Sequence, residues 1–214
     1  MGPTVAQLRP RVVASQATLT RKGAARTWLQ WNLGDAWSGV RSAALQRKPV
    51  GGAWRTVRKS QVKKALVTLK PGQVNLFRVR AFDKAGNVSY NKPIPARLTV
   101  RDSSSSAWKV PPKWKSKKAG KAFGGSVLVA NGITDSLRTS FRGKALAIVA
   151  SVGPGRGHLR VRVDGGKWAA VPLRARKAGH RKIVWSRIVP QGTHRVEISG
   201  LKGQTTLDAL LIVR

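Results

Sequence analysis

The sequence lacks cysteine and is poor in acidic residues. Its 214 residues include 42 Lys and Arg but only 7 Asp and Glu, so the formal net charge is +35. Without cysteine there is no disulfide scaffold, no thiolate zinc site and no cysteine nucleophile. The carboxylates are spread singly, whereas paired-carboxylate hydrolases and Ca²⁺ or Mg²⁺ sites need two or more that converge. These deficits predict a non-enzyme with no catalytic residues, no metal site and no cofactor.

Long apolar runs are also missing. No stretch approaches the roughly 18 to 20 apolar residues of a membrane span, and the start MGPTVAQLRP lacks the apolar segment of a signal peptide. We therefore expect either a cytoplasmic protein, or a secreted or cell-surface protein whose signal and upstream modules are not part of this chain. Because 41% of the residues are hydrophobic, the chain can still build a core and is not a disordered basic tail.

Short runs of alternating apolar and polar residues fill the chain, and turn sequences such as Pro71-Gly72 and Asp164-Gly165 separate them. This period and spacing predict an all-β fold of antiparallel strands, and no segment shows ten residues of helical periodicity. Because Asp164-Gly165 stands between two alternating runs, it predicts a hairpin. The predicted strands are residues 11–19, 27–32, 40–47, 54–57, 65–69, 76–83 and 96–100, then 127–131, 136–141, 145–151, 158–163, 168–173, 181–188, 193–199 and 206–213.

The composition changes at residue 102, where a run of four serines opens a stretch rich in lysine and tryptophan. We predict two domains, residues 1–101 and 122–214, joined by an extended connector over residues 102–121. The first 101 residues hold 20 cationic and 2 acidic side chains and the rest hold 22 and 5, so the net charges are +18 and +17. The positive charge therefore belongs to both halves and not to a tail.

Several motifs resemble known families. Trp37-Ser38-Gly39-Val40, LQRKPVGGAWRTV and then LKPGQVNLFRVRAFDKAGNVS resemble the fibronectin type III or Ig-like modules of secreted actinobacterial proteins. The second half resembles a galactose-binding-like jelly-roll module through Trp114, Gly124, Gly125, FRGKA, ASVGPGRGHLRVRVDGG, GTHRV and LDALLIV. The resemblance implies two antiparallel β-sandwich domains in tandem, Ig/fibronectin III-like and then jelly-roll. It also implies a non-catalytic, carbohydrate-binding or architectural role.

Basic residues recur in patterns that packing does not explain. Arginines stand two apart in strand-like runs, which places each pair on one sheet face and suits a linear polyanion. Self-repulsion at this net charge destabilises a fold unless counterions or a ligand relieve it. We predict polyanion binding by three such pairs, by the lysines of the connector and by one arginine in a glycine-rich turn: Arg78, Arg80, Arg160, Arg162, Arg174, Arg176, Lys109, Lys113, Lys115, Lys117, Lys118, Lys121 and Arg156.

Eight tryptophans against one tyrosine is an unusual aromatic balance. Trp31 alternates with Leu29 and is predicted to lie in the core. An exposed indole offers a stacking platform for a sugar or a base, whereas packing is the alternative role for each ring. We predict stacking by Trp28, Trp54, Trp114 and Trp168.

Two further motifs favour structural roles. The glycine-rich residues 153–157 precede a strand-like run and not a helix, so they predict a turn and not a nucleotide loop. The three histidines, His158, His180 and His194, match no compact metal or catalytic spacing. We predict that His194 fixes the entry of a strand by hydrogen bonding.

Three functions remain open from the sequence. The family resemblance favours a cationic accessory or adhesion region of a secreted or cell-surface bacterial protein, binding anionic surface polymers or polysaccharide. The charge alone equally suits sequence-nonspecific nucleic-acid binding driven by counterion release. The third is a structural subunit that self-assembles into a filament, shell or particle.

Overall fold

The structure, a computed structural model, describes residues 3–12, 17–35, 39–60 and 63–214. The described residues form sixteen β-strands and one 3₁₀ turn at Phe123–Gly125, with no α-helix. Residues 13–16 of the predicted strand 11–19, and Trp37 and Ser38 of the resemblance motif, lie outside the described residues. The first half contains β1 (Thr4–Val12), β2 (Ala25–Gly34), β3 (Val40–Pro49), β4 (Arg55–Ser60), β5 (Lys64–Leu69), β6 (Val74–Asp83), β7 (Val88–Tyr90) and β8 (Ile94–Asp102).

The second half contains eight more strands. They are β9 (Lys115–Lys118), β10 (Ser126–Asn131), β11 (Leu137–Val152), β12 (His158–Val163), β13 (Ala169–Pro172), β14 (Gly179–Lys202), β15 (Gln204–Leu207) and β16 (Ala209–Val213). All strand pairs are antiparallel, and the all-β sandwich class predicted from alternation is confirmed.

One large sheet runs through both halves. Its strand order is β13-β12-β14-β11-β16-β8-β6-β3-β4, with β7 added on β6. The halves join where β16 pairs with β8, with Leu211 opposite Val100 and Val213 opposite Leu98. Two smaller sheets cover this sheet, β1-β2-β5 in the first half and β15-β10-β9 in the second.

Strand β16 lies between two hydrophobic cores. Ala209, Leu211 and Val213 belong to the first core, which also contains Trp31 and Phe77. The alternate residues Leu210 and Ile212 belong to the second core. Because successive side chains of a strand point to opposite faces, the two cores lie on opposite faces of the large sheet.

Several predicted runs merge or divide in the structure. Residues 136–141 and 145–151 form the single strand β11, with a register shift between Gly143 and Ala145. A Cβ at Gly143 would lie 2.7 Å from the carbonyl oxygen of Val213, so glycine permits the close approach of β16 at this bend. Residues 206–213, predicted as one strand, divide at Asp208 into β15 and β16, which belong to different sheets.

The Asp164-Gly165 turn was predicted as a hairpin, and the structure confirms it. Residues Asp164 and Gly165 have φ angles of 53° and 70°, as the two-residue turns favoured in hairpins require. The strands on either side, β12 and β13, pair antiparallel. The carboxylate of Asp164 also contacts β14, because it accepts the Arg195 backbone N–H.

Residues 102–121 do not form the extended connector that the sequence predicts. Trp108 and Trp114 are 5% and 3% exposed and belong to the second core. Their indole N–H groups donate to the carbonyl oxygens of Asp102 (3.0 Å) and Asp135 (3.1 Å). Residues Lys115–Lys118 form β9 and pair with β10. This segment is therefore part of the second sandwich, while the predicted domain boundaries themselves stay a prediction.

Burial of Trp114 predicts that Trp114→Ala lowers the free energy of unfolding by about 3–5 kcal/mol, because it leaves a large cavity. The half-buried Trp168 serves as the control, and Trp168→Ala should cost about 1–2 kcal/mol through lost contacts with arginine. Urea unfolding measures both variants. Equal losses would contradict the placement of Trp114 in the second core.

Candidate anion-binding surfaces

At least five of the seven carboxylates accept hydrogen bonds from other groups of the chain. Asp83 is buried and accepts hydrogen bonds from the backbone N–H and side-chain amide of Asn87, both at 2.7 Å. Asp208 is buried and accepts the Phe123 N–H at 2.9 Å. Three others accept bonds at turns or within the sheet, namely Asp102, Asp164 and Glu197. Few negative charges are thus left to offset the surface cations.

Glu197 organises the arginines on the solvent face of the second sandwich. It is 5% exposed, and its carboxylate contacts Arg162 Nη2 at 3.1 Å and Arg138 Nε at 3.3 Å. The three residues lie directly opposite one another on β12, β14 and β11. The hydrogen bonds from Arg162 outweigh burial and hold the pKa of Glu197 below its ordinary value, so this carboxylate stays charged.

Tryptophan 168 stacks with the predicted arginine pair of β12. The guanidinium carbons of Arg160 and Arg162 both lie 4.6 Å from the centre of its ring. We call these three residues the second ladder. Such cation–π contacts hold guanidinium groups in place.

A comparable first ladder lies on the first sandwich. It consists of Trp54, Arg78, Tyr90, Arg80 and Phe82. Arg78 lies 4.2 Å from the Trp54 ring centre and 4.4 Å from that of Tyr90, and Arg80 lies 4.6 Å from that of Phe82. Tyr90 is 47% exposed, so this cluster borders solvent. Within each pair, the arginines share one sheet face as predicted.

The two ladders lie on opposite faces of the large sheet. Arg78 and Arg80 alternate with residues of the first core along β6, and Arg160 and Arg162 alternate with residues of the second core along β12. Because the two cores are on opposite sides of this sheet, the ladders point in opposite directions. They form two separate basic surfaces and not one continuous stripe.

The remaining predicted cations are on the surface. All six lysines of the 102–121 segment are exposed, as are Arg174 and Arg176. Arg176 lines the wall of an open cavity of about 820 Å³ together with Lys177 and Lys182. Arg156 donates to the side chain of Gln204 at the end of the glycine-rich turn. Lysines of β9 also fit an edge-strand role, because edge lysines discourage pairing with other chains.

The prediction of stacking by Trp114 is wrong, because Trp114 is buried in the second core and offers no ring face to a ligand. The other three rings are half-buried, and each carries a cation of this chain on its surface. The ring of Trp28 has Lys64 Nζ at 5.3 Å, while Trp54 and Trp168 belong to the ladders. Their stacking on a sugar stays a prediction.

The turn prediction is confirmed. The prediction for His194 is confirmed only as to hydrogen bonding, because His194 lies inside β14 and not at the entry of a strand. Residues 153–157 form a turn closed by the Arg156 N–H on the Gly153 carbonyl (3.2 Å), and β12 follows. His194 contacts Asp164 Oδ2 through Nδ1 (2.6 Å) and the Pro190 carbonyl through Nε2 (2.8 Å). Burial lowers the pKa of His194, but the hydrogen bonds to Asp164 and Pro190 together with the charge of Asp164 outweigh it, and the net shift is upward.

Two cations beside Glu197 were missed from the sequence. Arg138 lies on β11, and Arg195 lies on β14 opposite Ser140. Together with Lys109 they line a cavity of about 440 Å³. The runs LRTSFRG and THRVEIS do carry a signal, since their polar residues stand two apart and predict an outward face.

Neither a metal centre nor a membrane helix is found within the described part of the chain. No three His, Asp or Glu side chains there converge closely enough to hold a metal ion. Likewise, none of its helical segments has the length and apolar character needed to span a bilayer.

Comparisons with known proteins give no family. No family model matches the chain, and no curated protein sequence matches it. A family two carbohydrate esterase from Cellvibrio japonicus is similar over 55% of this chain and 34% of its own, at 19% identity and a TM-score of 0.40. An exo-β-1,3-galactanase from Phanerochaete chrysosporium with galactose is similar over 95% of this chain and 57% of its own, at 10% identity and a TM-score of 0.38.

A third similar structure belongs to the carbohydrate-binding modules of the β-sandwich superfamily. It covers 100% of this chain and 98% of its own at 9% identity, with a TM-score of 0.34. This chain spans 34% and 57% of the esterase and galactanase chains. At these identities and TM-scores, the three likenesses do not bear on function.

Burial strongly alters the pKa of Asp208. Burial, opposed by the Phe123 N–H bond and reinforced by the nearby Asp102, raises the pKa of Asp208 to about 7. Its Oδ2 and that of Asp102 are buried without a hydrogen-bond partner among the described residues. The folded protein therefore binds this proton more tightly than the unfolded chain does.

A raised pKa predicts stability that is complete below about pH 4 and is lost as pH rises toward about 7. The loss in free energy of unfolding should be on the order of 2–4 kcal/mol. Asp208→Asn keeps an oxygen for the Phe123 N–H and stays neutral. The variant should therefore gain stability relative to the wild type as pH rises, in urea unfolding at about pH 5 and pH 8. Parallel pH profiles would contradict this prediction.

Proposed function

We propose that this chain is a non-catalytic, strongly cationic accessory region of a secreted or cell-surface bacterial protein. Its ligands in this proposal are anionic surface polymers or acidic polysaccharide. The two halves are, in the same proposal, a fibronectin type III or Ig-like module and a galactose-binding-like jelly roll. The bacterial and extracellular setting comes from that resemblance alone.

The observation that carries the proposal is the excess of cations over carboxylates. The chain holds 42 Lys and Arg against 7 Asp and Glu, so 35 positive charges are not balanced by a carboxylate of the chain. Several of the carboxylates are themselves engaged in the core or in turns, as Asp83, Asp208 and Glu197 are. Mutual repulsion at this charge destabilises the fold, and a bound polyanion relieves that repulsion.

The ladders support the proposal in a second way. The rings of Trp54 and Trp168 already contact arginines of the same chain. Arginine held against a ring loses less side-chain entropy when it binds an anion than a free arginine does. A rigid guanidinium row therefore favours charge recognition over stacking of neutral sugars.

The proposal predicts salt-dependent binding to acidic polysaccharide. Association with heparin, or with a purified anionic wall polymer, should weaken steeply between about 50 and 200 mM salt because bound counterions are released. Isothermal titration calorimetry gives the affinity, with uncharged dextran as the control polymer. Absence of binding at about 50 mM salt would contradict the proposal. Tighter binding to DNA than to polysaccharide of equal charge would favour the nucleic-acid alternative instead.

A lysine variant tests the same surface. Lys113, Lys115, Lys117 and Lys118 are exposed, so replacing all four by Gln should leave the far-UV circular dichroism spectrum unchanged. The slope of log Kd against log salt should decrease, because fewer counterions are released. An unchanged slope would show that these four lysines, and with them β9, do not take part in polymer binding.

A further inference from the structure

A cationic cavity lies between residues 107–109 and the first part of β11. Its volume is about 440 Å³, and its walls include Lys109, Arg138, Arg195, Thr139 and Ser140. Thr139 Oγ1 donates to the Ala107 carbonyl at 2.8 Å, which ties the two walls together.

The backbone brings the three cations to this cavity. Lys109 and Arg138 exchange both of their backbone hydrogen bonds, at 2.8 and 3.1 Å, so their side chains share one face. Arg195 lies opposite Ser140, and Ser140 lies two residues from Arg138 on the same face of β11. Directly opposed side chains have Cβ atoms about 4.5–5.5 Å apart, so the charged groups reach a common volume.

The arrangement is electrostatically costly without a ligand. Like charges directly opposite each other across two strands destabilise the pair. The carboxylate on this face, Glu197, already accepts Arg138 Nε and two N–H groups of Arg162. Glu197 thus fixes the orientation of Arg138, whose planar fork of donors can reach a second anion.

From this geometry we infer that the cavity holds one tetrahedral oxyanion substituent, a sulfate or phosphate ester, of the bound polymer. The inference rests on the proposed function and names the chemical class that the site selects. The residues that line the cavity carry an ammonium group on Lys109, guanidinium groups on Arg138 and Arg195, and the Ser140 hydroxyl. A sulfate or phosphate ester has three terminal acceptor oxygens and a carboxylate has two, so the tetrahedral ester can accept from more of these donors at once.

The test compares two double variants that each lose two positive charges. The cavity variant, Lys109→Gln with Arg195→Gln, removes two cationic donor groups from the cavity and leaves Arg138 paired with Glu197. The control, Lys84→Gln with Lys92→Gln, removes two exposed lysines of the first sandwich. Titration calorimetry uses heparin as the sulfated polymer, poly(glycerol phosphate) as the phosphorylated one and polygalacturonate as the carboxylated one.

The cavity variant should bind heparin or poly(glycerol phosphate) about tenfold more weakly than the wild type, because two charge-assisted hydrogen bonds are lost. The polymer with the larger loss identifies the ester. The control should lose about threefold or less on any polymer, as expected for distant charges. For polygalacturonate the two variants should behave alike. If both variants lose the same affinity for heparin and for poly(glycerol phosphate), the inference of an oxyanion site is overturned. The proposed polymer binding would not be contradicted by that result.

A second measurement separates this inference from the proposed function. If the wild type binds no polymer, inorganic sulfate at constant ionic strength is titrated while the backbone amide resonances of Lys109, Arg138 and Arg195 are followed by NMR. Saturable shifts in the wild type that vanish in the cavity variant support the oxyanion site alone. Absence of such shifts rejects the site as well.

Discussion

Strand β16 lies between two hydrophobic cores, and all five of its side chains are buried. Its sequence, ALLIV, has no polar alternation because neither face meets water. The rest of the structure depends on this constraint, since β16 pairs with β11 on one side and with β8 on the other. The two sandwiches are therefore built on one sheet, and the ladders occupy the faces left open on opposite sides.

The chain crosses between sheets at Asp208, immediately before β16. The backbone N–H of Asp208 donates to Val149, its carbonyl accepts from Ser103, and its side chain accepts from Phe123. One of the few carboxylates, that of Asp208, thus lies at the centre of the molecule, where this residue joins three segments. Similarly, the carboxylate of Glu197 is paired with Arg138 and Arg162. Both placements leave most lysines and arginines to solvent and ligands.

Alternation along the chain was enough to predict the all-β fold and the shared face of two arginine pairs, Arg78 with Arg80 and Arg160 with Arg162. These features depend on residues close together in sequence. Alternation was wrong for Arg174 and Arg176, which follow the end of β13 and lie outside the strands. Burial of Trp114 could not be predicted in the same way, because its hydrogen-bond partner is the distant Asp135 carbonyl. The oxyanion cavity likewise depends on the pairing of Lys109 with Arg138, which no local pattern specifies.

The most direct test of the shared-sheet account is native-state hydrogen exchange of the amides of Ala209–Val213. If β16 is the common element of both sandwiches, these amides exchange only by global unfolding and are among the slowest in the protein. Their exchange free energy should equal the free energy of unfolding from denaturant titration. Faster exchange in β16 than in β6 or β12, through opening of one half alone, would contradict the account.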